Sequence, residues 1–133
     1  MDFTVIKKVR TNNFNDDRIM QKISDMWKGA STELSNHEGI TYGLYHEYDS
    51  DYKGDYTLCV AIDGKNEPSI VIPDDTKYEI FTVNTDEEQG IFNTWNEIWN
   101  KEEEGKLKRA YTYDLEKYYP DGNIDICIAV KEK

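Results

Sequence analysis

The amino-acid sequence predicts an α+β fold in which one strand–helix–strand–strand unit occurs twice. Three observations support this prediction: an internal repeat, two amphipathic helical segments, and short apolar segments separated by turn signals. A chain of 133 residues is ordinarily one domain. We therefore expect a single domain over residues 1–133, with two pseudo-symmetric halves at about 1–66 and 67–133.

The internal repeat appears when the sequence is shifted by 68 residues, the separation of Cys59 and Cys127. One such unit cannot bury both its helix and its strands, so two units should pair around a pseudo-twofold axis. This arrangement places both helices on one face of a joint antiparallel sheet, with a groove near the axis. The other aligned pairs are Ile23 with Ile91, Trp27 with Trp95, Tyr45 with Tyr113, Gly54 with Gly122, and Ala61 with Ala129.

The first strands of the two units do not fit the same shift. The segment Phe3-Thr4-Val5 resembles Phe81-Thr82-Val83 at a larger separation. An insertion or deletion between the first strand and the helix of one unit would account for this difference.

Helical spacing of apolar residues predicts two helices. Asn15, followed by two aspartates, is the predicted N-cap of the first helix. The sequence Thr85–Glu88 matches a capping box for the second helix. The apolar residues are Ile19, Met20, Ile23, Met26, Trp27 and Ala30 in the first helix, and Ile91, Trp95, Ile98 and Trp99 in the second.

Apolar or alternating segments between turn signals predict about six strands, with one further short segment at Ser69–Ile72. The six are Thr4–Val9, Ile40–Tyr48, Tyr56–Ile62, Tyr78–Val83, Arg109–Tyr113 and Ile124–Val130.

The charge of the chain indicates which partners it suits. Sixteen basic and 27 acidic residues give a net charge of −11 and a pI near 4.6. The basic residues are scattered, so nucleic acid and anionic membrane surfaces would be repelled. Cationic or neutral small molecules are the favoured partners, although much of this acidity also serves solubility.

The expected location is the cytoplasm. The sequence contains no secretory signal pattern and no apolar run long enough to cross a membrane. Cys59 and Cys127 lie in apolar stretches, which predicts buried, reduced thiols. His37 and His46 have no partners at metal-ligand spacing, so neither a metal nor another cofactor is expected.

Aromatic residues and one carboxylate are the candidate site. Glu116 is bracketed by tyrosines, and partial burial there would raise its pKa. Aromatic walls around a carboxylate suit flat or cationic organic molecules. The alternative is that Glu116 is exposed and the tyrosines are ordinary core residues. The candidate aromatic residues are Trp27, Tyr42, Tyr45, Trp95, Trp99, Tyr111 and Tyr113.

Several motifs, in order, resemble the GyrI-like (gyrase-inhibitor-like) domains over nearly the whole chain. These domains share the duplicated fold, and they form the effector-binding half of several bacterial transcription activators that sense multiple drugs. The motifs are Tyr42–Tyr48 with Gly54-Asp55-Tyr56, Thr94–Trp99, Arg109-Ala110-Tyr111, Asp114–Tyr118 and Asn123–Ile128.

The resemblance assigns roles to particular residues. Glu116 matches the family's acidic residue, which faces the ligand groove and attracts cationic aromatic compounds. Trp95 matches the family's helix tryptophan, and Trp99 lies one turn further on. The tyrosines at positions 42, 45 and 113 match strands that border the groove. The chain has no room for a helix-turn-helix ahead of this domain, so we expect a stand-alone effector-binding protein rather than a direct transcriptional regulator.

Two classes of function then compete. The first is a module that sequesters or senses hydrophobic, cationic aromatic molecules. The second is a hydrolase of cyclopropane-bearing genotoxins, an activity that the resemblance also implies, with Glu116 as the acid–base group and Tyr113 positioning it. A protein partner, such as a regulator or gyrase, is a weaker third hypothesis. The residues favour binding.

Overall fold

The structure of the chain, a computed structural model, describes residues 1–35, 37–51, 53–64 and 69–131. The predicted boundary between the two halves, near residue 66, lies outside the described residues. The helices are α1 (Ile19–Leu34) and α2 (Gly90–Glu103). The strands are β1 (Asp2–Thr11), β2 (Thr41–His46), β3 (Tyr56–Asp63), β4 (Ile70–Val71), β5 (Tyr78–Thr82), β6 (Asp114–Tyr118) and β7 (Ile124–Ala129).

The strands form one curled antiparallel sheet in the order β4-β1-β3-β2-β6-β7-β5. The first unit is β1-α1-β2-β3 and the second is β5-α2-β6-β7, with β4 between them in the chain. The two units meet where β2 pairs with β6. The predicted duplicated α+β fold is therefore confirmed.

The two faces of the sheet have different partners. Side chains alternate along a strand, so Leu58 and Val60 of β3 point to the face that α1 covers. Ile126 and Ile128 of β7 point to the same face and pack with Trp95 and Ile98 of α2.

The opposite face has its own apolar cluster, which includes Phe3, Tyr42, Leu44 and both cysteines. Cys59 and Cys127 are buried free thiols, as predicted. Burial raises the pKa of Cys59 to about 12, so the thiol is protonated.

The strand pairing shows that one aligned pair of the predicted repeat, Tyr45 with Tyr113, is wrong. Leu58 lies opposite Tyr45, and the corresponding residue Ile126 lies opposite Glu116. Glu116, rather than Tyr113, therefore occupies the position equivalent to Tyr45. The ungapped alignment missed this because the turn between β2 and β3 is longer than the turn between β6 and β7.

The equivalence proposed for the first strands is also wrong. Val9 of β1 lies opposite Leu58, while Phe81 of β5 lies opposite the corresponding Ile126. Val9, and not Phe3, is therefore the counterpart of Phe81.

The predicted strand at Arg109–Tyr113 is wrong. Arg109 makes only an isolated bridge with Val130, and the strand of this region is β6, which begins at Asp114. The backbone of Tyr111 has a φ of 56°, a left-handed conformation that cannot continue an extended strand.

Both predicted helix caps are wrong. Helix α1 begins after Arg18, and Asn15 does not cap it. The Asp16 carboxylate accepts hydrogen bonds from the Arg18 backbone, from Thr11 and from Lys22, so this aspartate organises the turn before the helix instead.

Helix α2 begins after Gln89 rather than after Thr85. The start is set by a close approach of backbones: a Cβ at Gly90 would lie 2.2 Å from the Asn84 carbonyl oxygen, so only glycine fits. The turn before α2 is held by Glu87, whose carboxylate accepts hydrogen bonds from Asn84 and Asn93. Neither α1 nor α2, in the described part of the chain, is long and apolar enough to cross a membrane.

Candidate functional site

A cavity of about 950 Å³ lies between the helices and the sheet face that they cover. Both units contribute to it, since strands β2, β3 and β6 form its floor and residues of α1 and α2 form its walls. Five of the predicted site residues line it: Trp27, Tyr45, Trp95, Trp99 and Glu116.

Glu116 lies on the floor of this cavity, near the pseudo-twofold axis. It sits on β6 directly opposite Gly43 of β2. A Cβ at Gly43 would lie 3.0 Å from Glu116 Oε1, so the missing side chain leaves the room that the carboxylate occupies. Glu116 is only 4% exposed.

The Glu116 carboxylate accepts three hydrogen bonds, all from neutral groups. Tyr45 Oη and Trp95 Nε1 donate to Oε2 at 3.0 and 2.8 Å, and Tyr118 Oη donates to Oε1 at 2.7 Å. In the described part of the chain, no lysine, arginine or histidine forms an ion pair with Glu116.

Burial raises the pKa of Glu116 above its usual value, and the three hydrogen bonds oppose this rise by stabilising the charged form. Burial and the nearby Glu116 carboxylate together raise the pKa values of Tyr45 and Tyr118 well above normal. Both hydroxyls therefore stay protonated and act as donors. The site thus places a buried acidic group at the floor of the cavity, and its hydrogen-bond donors among the described residues are the neutral side chains of Tyr45, Trp95 and Tyr118.

Aromatic rings surround this carboxylate. Trp27 of α1 meets Tyr118 edge to face, with ring centroids 5.3 Å apart. On the other side, Trp95 of α2 lies 5.1 Å from Tyr45 and 6.3 Å from Trp99. Such walls can hold a flat apolar molecule, and their ring faces attract positive charge.

A second buried charge lies at the cavity, and it has a partner. Arg109 lines the cavity and its side chain is 2% exposed. Its Nη2 donates to Asp114 Oδ2 at 2.7 Å, and Asp114 is also hydrogen-bonded by Tyr48 Oη and by the Ala129 backbone N–H. Burial alone would lower the pKa of Arg109, but the Asp114 charge raises it, so the guanidinium is charged.

Three predicted site residues do not line the cavity. Tyr42 and Tyr113 lie on the opposite face of the sheet: Tyr42 packs against Phe3, and Tyr113 stacks on His46 with ring centroids 5.5 Å apart. Tyr113 therefore does not touch Glu116, and the donors that position the carboxylate are Tyr45, Trp95 and Tyr118. Tyr111 packs over the Arg109 guanidinium at 4.4 Å and donates to Glu102.

Sequence reasoning did not place the other cavity residues in the site, among them Tyr48, Tyr56, Arg109 and Tyr118. Tyr118 lies two residues after Glu116, so a correct start for β6 would have placed both on one face. Nothing in the sequence identified Arg109 as buried or paired.

The strand predicted over Ile40–Tyr48 would place Tyr48 on the same face as Tyr42, because side chains alternate along a strand. Strand β2 instead ends at His46, and Glu47 has a φ of 53°, which turns the chain toward the cavity. Arg10 holds this turn by donating to the Glu47 carbonyl oxygen and to Asp49.

Over residues 1–35, 37–51, 53–64 and 69–131, no group of three or more histidine, cysteine, aspartate or glutamate side chains is placed to hold a metal ion.

Comparisons with known proteins identify relatives of the whole domain. The sequence profile of the family Cass2, described as "Integron-associated effector binding protein", matches residues 2–130. Among solved structures, the chain is similar to the integron cassette protein VCH_CASS2 from the mobile metagenome of Vibrio cholerae, with 28% sequence identity and a TM-score of 0.74. This match covers 98% of this chain and 92% of that chain. No curated protein matches the chain. The matches confirm the GyrI-like resemblance.

Proposed function

Since the chain belongs to the Cass2 family of integron-associated effector binding proteins, we propose that its effector is a hydrophobic, aromatic and positively charged small molecule. The molecule binds in the cavity between the helices and the sheet, with its charge at Glu116. The protein sequesters or senses this compound.

One observation carries the proposal: the Glu116 carboxylate is buried, and in the part of the chain that the structure describes only neutral donors contact it. Burying a carboxylate without a cation costs several kcal/mol, even after partial relaxation. The fold tolerates this cost at the floor of a large apolar cavity. A cationic ligand would offset this free-energy cost, because the ligand supplies the positive charge that the described residues do not give to Glu116.

The walls favour the same class of ligand. Trp27, Trp95 and Trp99 provide flat surfaces for stacking, and desolvated cation–π contacts contribute about 2 kcal/mol each. The cavity volume, about 950 Å³, is at the upper end of the range for drug-sized ligands. Apolar surface supplies affinity, and Glu116 supplies the preference for cations.

Paired fluorescence titrations test this proposal. Tryptophan fluorescence of the wild type and of Glu116→Gln is titrated with N-methylacridinium, a flat permanent cation, and with acridine at a pH where acridine is neutral. We expect Glu116→Gln to weaken cation binding by about 30-fold, since losing one partner of a buried charge pair costs about 2 kcal/mol or more. Acridine affinity should change less than about threefold, because a neutral ring gains no ion pair.

The matched control is Glu88→Gln, which removes the same charge from an exposed residue at the cavity wall. This control should leave both affinities nearly unchanged. An equal loss of cation affinity in both variants would mean that the overall negative charge attracts the cation, and the proposed role of Glu116 would be wrong. Mass spectrometry of the bound compounds distinguishes binding from hydrolysis, because the proposal expects them to be recovered intact.

A further inference from the structure

Two exposed apolar side chains lie where the cavity opens to solvent. Met20 of α1 and Phe92 of α2 both line the cavity, yet they are 77% and 54% exposed. A side chain that lines a cavity and is also mostly exposed lies at its opening. A single exposed apolar residue is ordinary, whereas apolar residues grouped at an opening indicate a binding surface.

Each of these two residues is the first member of an apolar stripe that leads into the cavity. The spacing i, i+3, i+7 places the members of a stripe on one face of their helix. Both stripes therefore continue the buried cavity wall out to solvent. Their members are Met20, Ile23 and Trp27 in α1, and Phe92, Trp95 and Trp99 in α2.

Phe14 extends the same apolar surface. It precedes α1, is 56% exposed and packs against Trp99, with ring centroids 5.8 Å apart. Phe92 meets the same indole edge to face at 6.5 Å. We call Phe14, Met20 and Phe92 the apolar rim. Of the five large apolar side chains that are exposed in the described part of the chain, three belong to this rim, so exposed apolar surface is concentrated there.

We propose that the apolar rim binds a long alkyl chain of the effector, so that the preferred effector is a cationic amphiphile. This inference rests on the proposed function and refines it. The positive group lies at Glu116 on the cavity floor, and the chain leaves the cavity across Met20 and Phe92.

The size of the rim suits a chain better than a protein partner. A large side chain has about 200 Å² of surface, so the rim exposes on the order of 400 Å². A stable protein interface buries about 800 Å² on each partner. An alkyl chain is narrow, and its head group already holds it in the cavity, so the smaller area is sufficient for it.

The charges at the cavity select a cationic amphiphile over an anionic one. Glu116 lies on the cavity floor, and Glu87 and Glu88 line the cavity at the turn before α2. Phe92 follows this turn, so the rim lies beside acidic side chains. A fatty acid would bring its carboxylate into this negative potential, whereas the potential attracts a cation.

Fluorescence titration with N-methylacridinium and N-octylacridinium tests the rim. The two compounds have the same ring and the same permanent charge, so they differ in the chain alone. In the wild type the octyl compound should bind at least tenfold more tightly, since each fully buried methylene contributes up to about fourfold. The double variant Met20→Gln with Phe92→Gln should lower this octyl-to-methyl ratio about tenfold. Both positions are exposed on helices, where glutamine is a good helix former.

Ile80→Thr is the matched control. Ile80 is 61% exposed on β5 and does not line the cavity, so the substitution removes exposed apolar surface elsewhere. The octyl-to-methyl ratio should stay the same in this variant. An unchanged ratio in the double variant would overturn the rim, as would an equal loss of affinity for both compounds or an equal fall of the ratio in Ile80→Thr.

Further outcomes separate the rim from the proposed function. Loss of N-methylacridinium binding in Glu116→Gln, with a wild-type octyl-to-methyl ratio near one, would retain the proposed function and reject the rim alone. If the wild type binds neither compound, both proposals fail. Sedimentation of the ligand-free protein tests a second copy as the occupant: a dimer that the double variant converts to a monomer would overturn the binding of a chain.

A contact measurement by NMR uses the wild type alone. Met1, Met20 and Met26 are the methionines of the chain, so the three methyl signals are few enough to assign. With N-octylacridinium bound, nuclear Overhauser effects should connect the end of the octyl chain to the Met20 methyl group. Overhauser effects from the chain end to Trp27 instead would place the chain inside the cavity and contradict its exit across the rim.

Discussion

Two buried carboxylates on β6, Asp114 and Glu116, lie two residues apart and have opposite electrostatic environments. Asp114 is fully buried and paired with Arg109, whereas Glu116 is 4% exposed and, among the described residues, receives only neutral donors. The two have similar burial, so burial alone does not distinguish a charge-paired acid from one without an ion-pair partner among the described residues. The difference is the positively charged side chain: Asp114 has Arg109 beside it, and no described residue supplies such a charge to Glu116.

The largest effect that this comparison predicts is on stability. Asp114→Ala removes the close ion-pair partner of the buried Arg109 guanidinium and leaves Glu102, whose Oε1 lies 3.7 Å from Nη1. Breaking a buried pair in this way costs about 3–5 kcal/mol. Glu116→Gln removes a buried carboxyl group that has no ion-pair partner among the described residues, so the ligand-free protein should keep or gain stability. Urea unfolding of both variants measures the two free energies of unfolding.

Equal destabilisation by the two substitutions would contradict the proposed division between a paired and an unpaired carboxylate. The double variant Arg109→Met with Asp114→Ala is the control, since it removes both charges and should recover part of the stability that Asp114→Ala loses.

The second prediction concerns pH. Because burial raises the pKa of Glu116, protonation removes its charge at a pH above the usual 4.5 of a glutamate. Affinity for N-methylacridinium, whose own charge does not titrate, should fall as the pH is lowered through this raised pKa, by up to tenfold per unit. Titrations at a series of pH values measure the midpoint, and Glu116→Gln should show a flat profile.

Glu116 should also make the stability of the ligand-free protein depend on pH, in the direction opposite to that of cation affinity. A carboxyl group with a raised pKa favours the folded state most below its unfolded pKa, and that contribution is lost as the pH rises through the folded value. The stability of the wild type relative to Glu116→Gln should therefore fall with rising pH, while cation affinity rises. A wild-type affinity that is independent of pH would mean that Glu116 does not bind the cation.

The sequence predicted the fold well because the repeat and the apolar periodicity record burial directly. It also predicted five residues at the cavity. Trp27, Trp95 and Trp99 belong to the apolar faces of the two helices, and Tyr45 belongs to a predicted strand. Glu116 was identified because tyrosines bracket it and because it matches the family's acidic residue. The errors arose where tertiary contacts override local signals. The left-handed backbone at Glu47 redirects Tyr48, and the one at Tyr111 delays β6 until Asp114.

The charge pairing could not be read from the sequence at all. Arg109 and Asp114 are five residues apart across an irregular turn, and only that turn brings their side chains together. The role of Gly43 could not be predicted from the sequence either. Its missing side chain leaves room for Glu116 only because β2 pairs with β6.

The smallest predicted effect is a shift in the pH midpoint of cation binding. It tests whether Tyr118, which donates to Glu116, or Tyr113, which was expected to position Glu116, sets the pKa of this carboxyl group. Tyr118→Phe removes one hydrogen bond to the carboxylate, and a hydrogen bond to a charged group contributes about 1.5 kcal/mol or more. The pKa of Glu116 should rise further, so the pH midpoint of N-methylacridinium binding should move upward by about one unit. Tyr113→Phe is the matched control, because Tyr113 stacks on His46 across the sheet and should leave the midpoint in place. A midpoint that moves with Tyr113→Phe and not with Tyr118→Phe would restore Tyr113 as the positioning residue and reject the geometry described for this site.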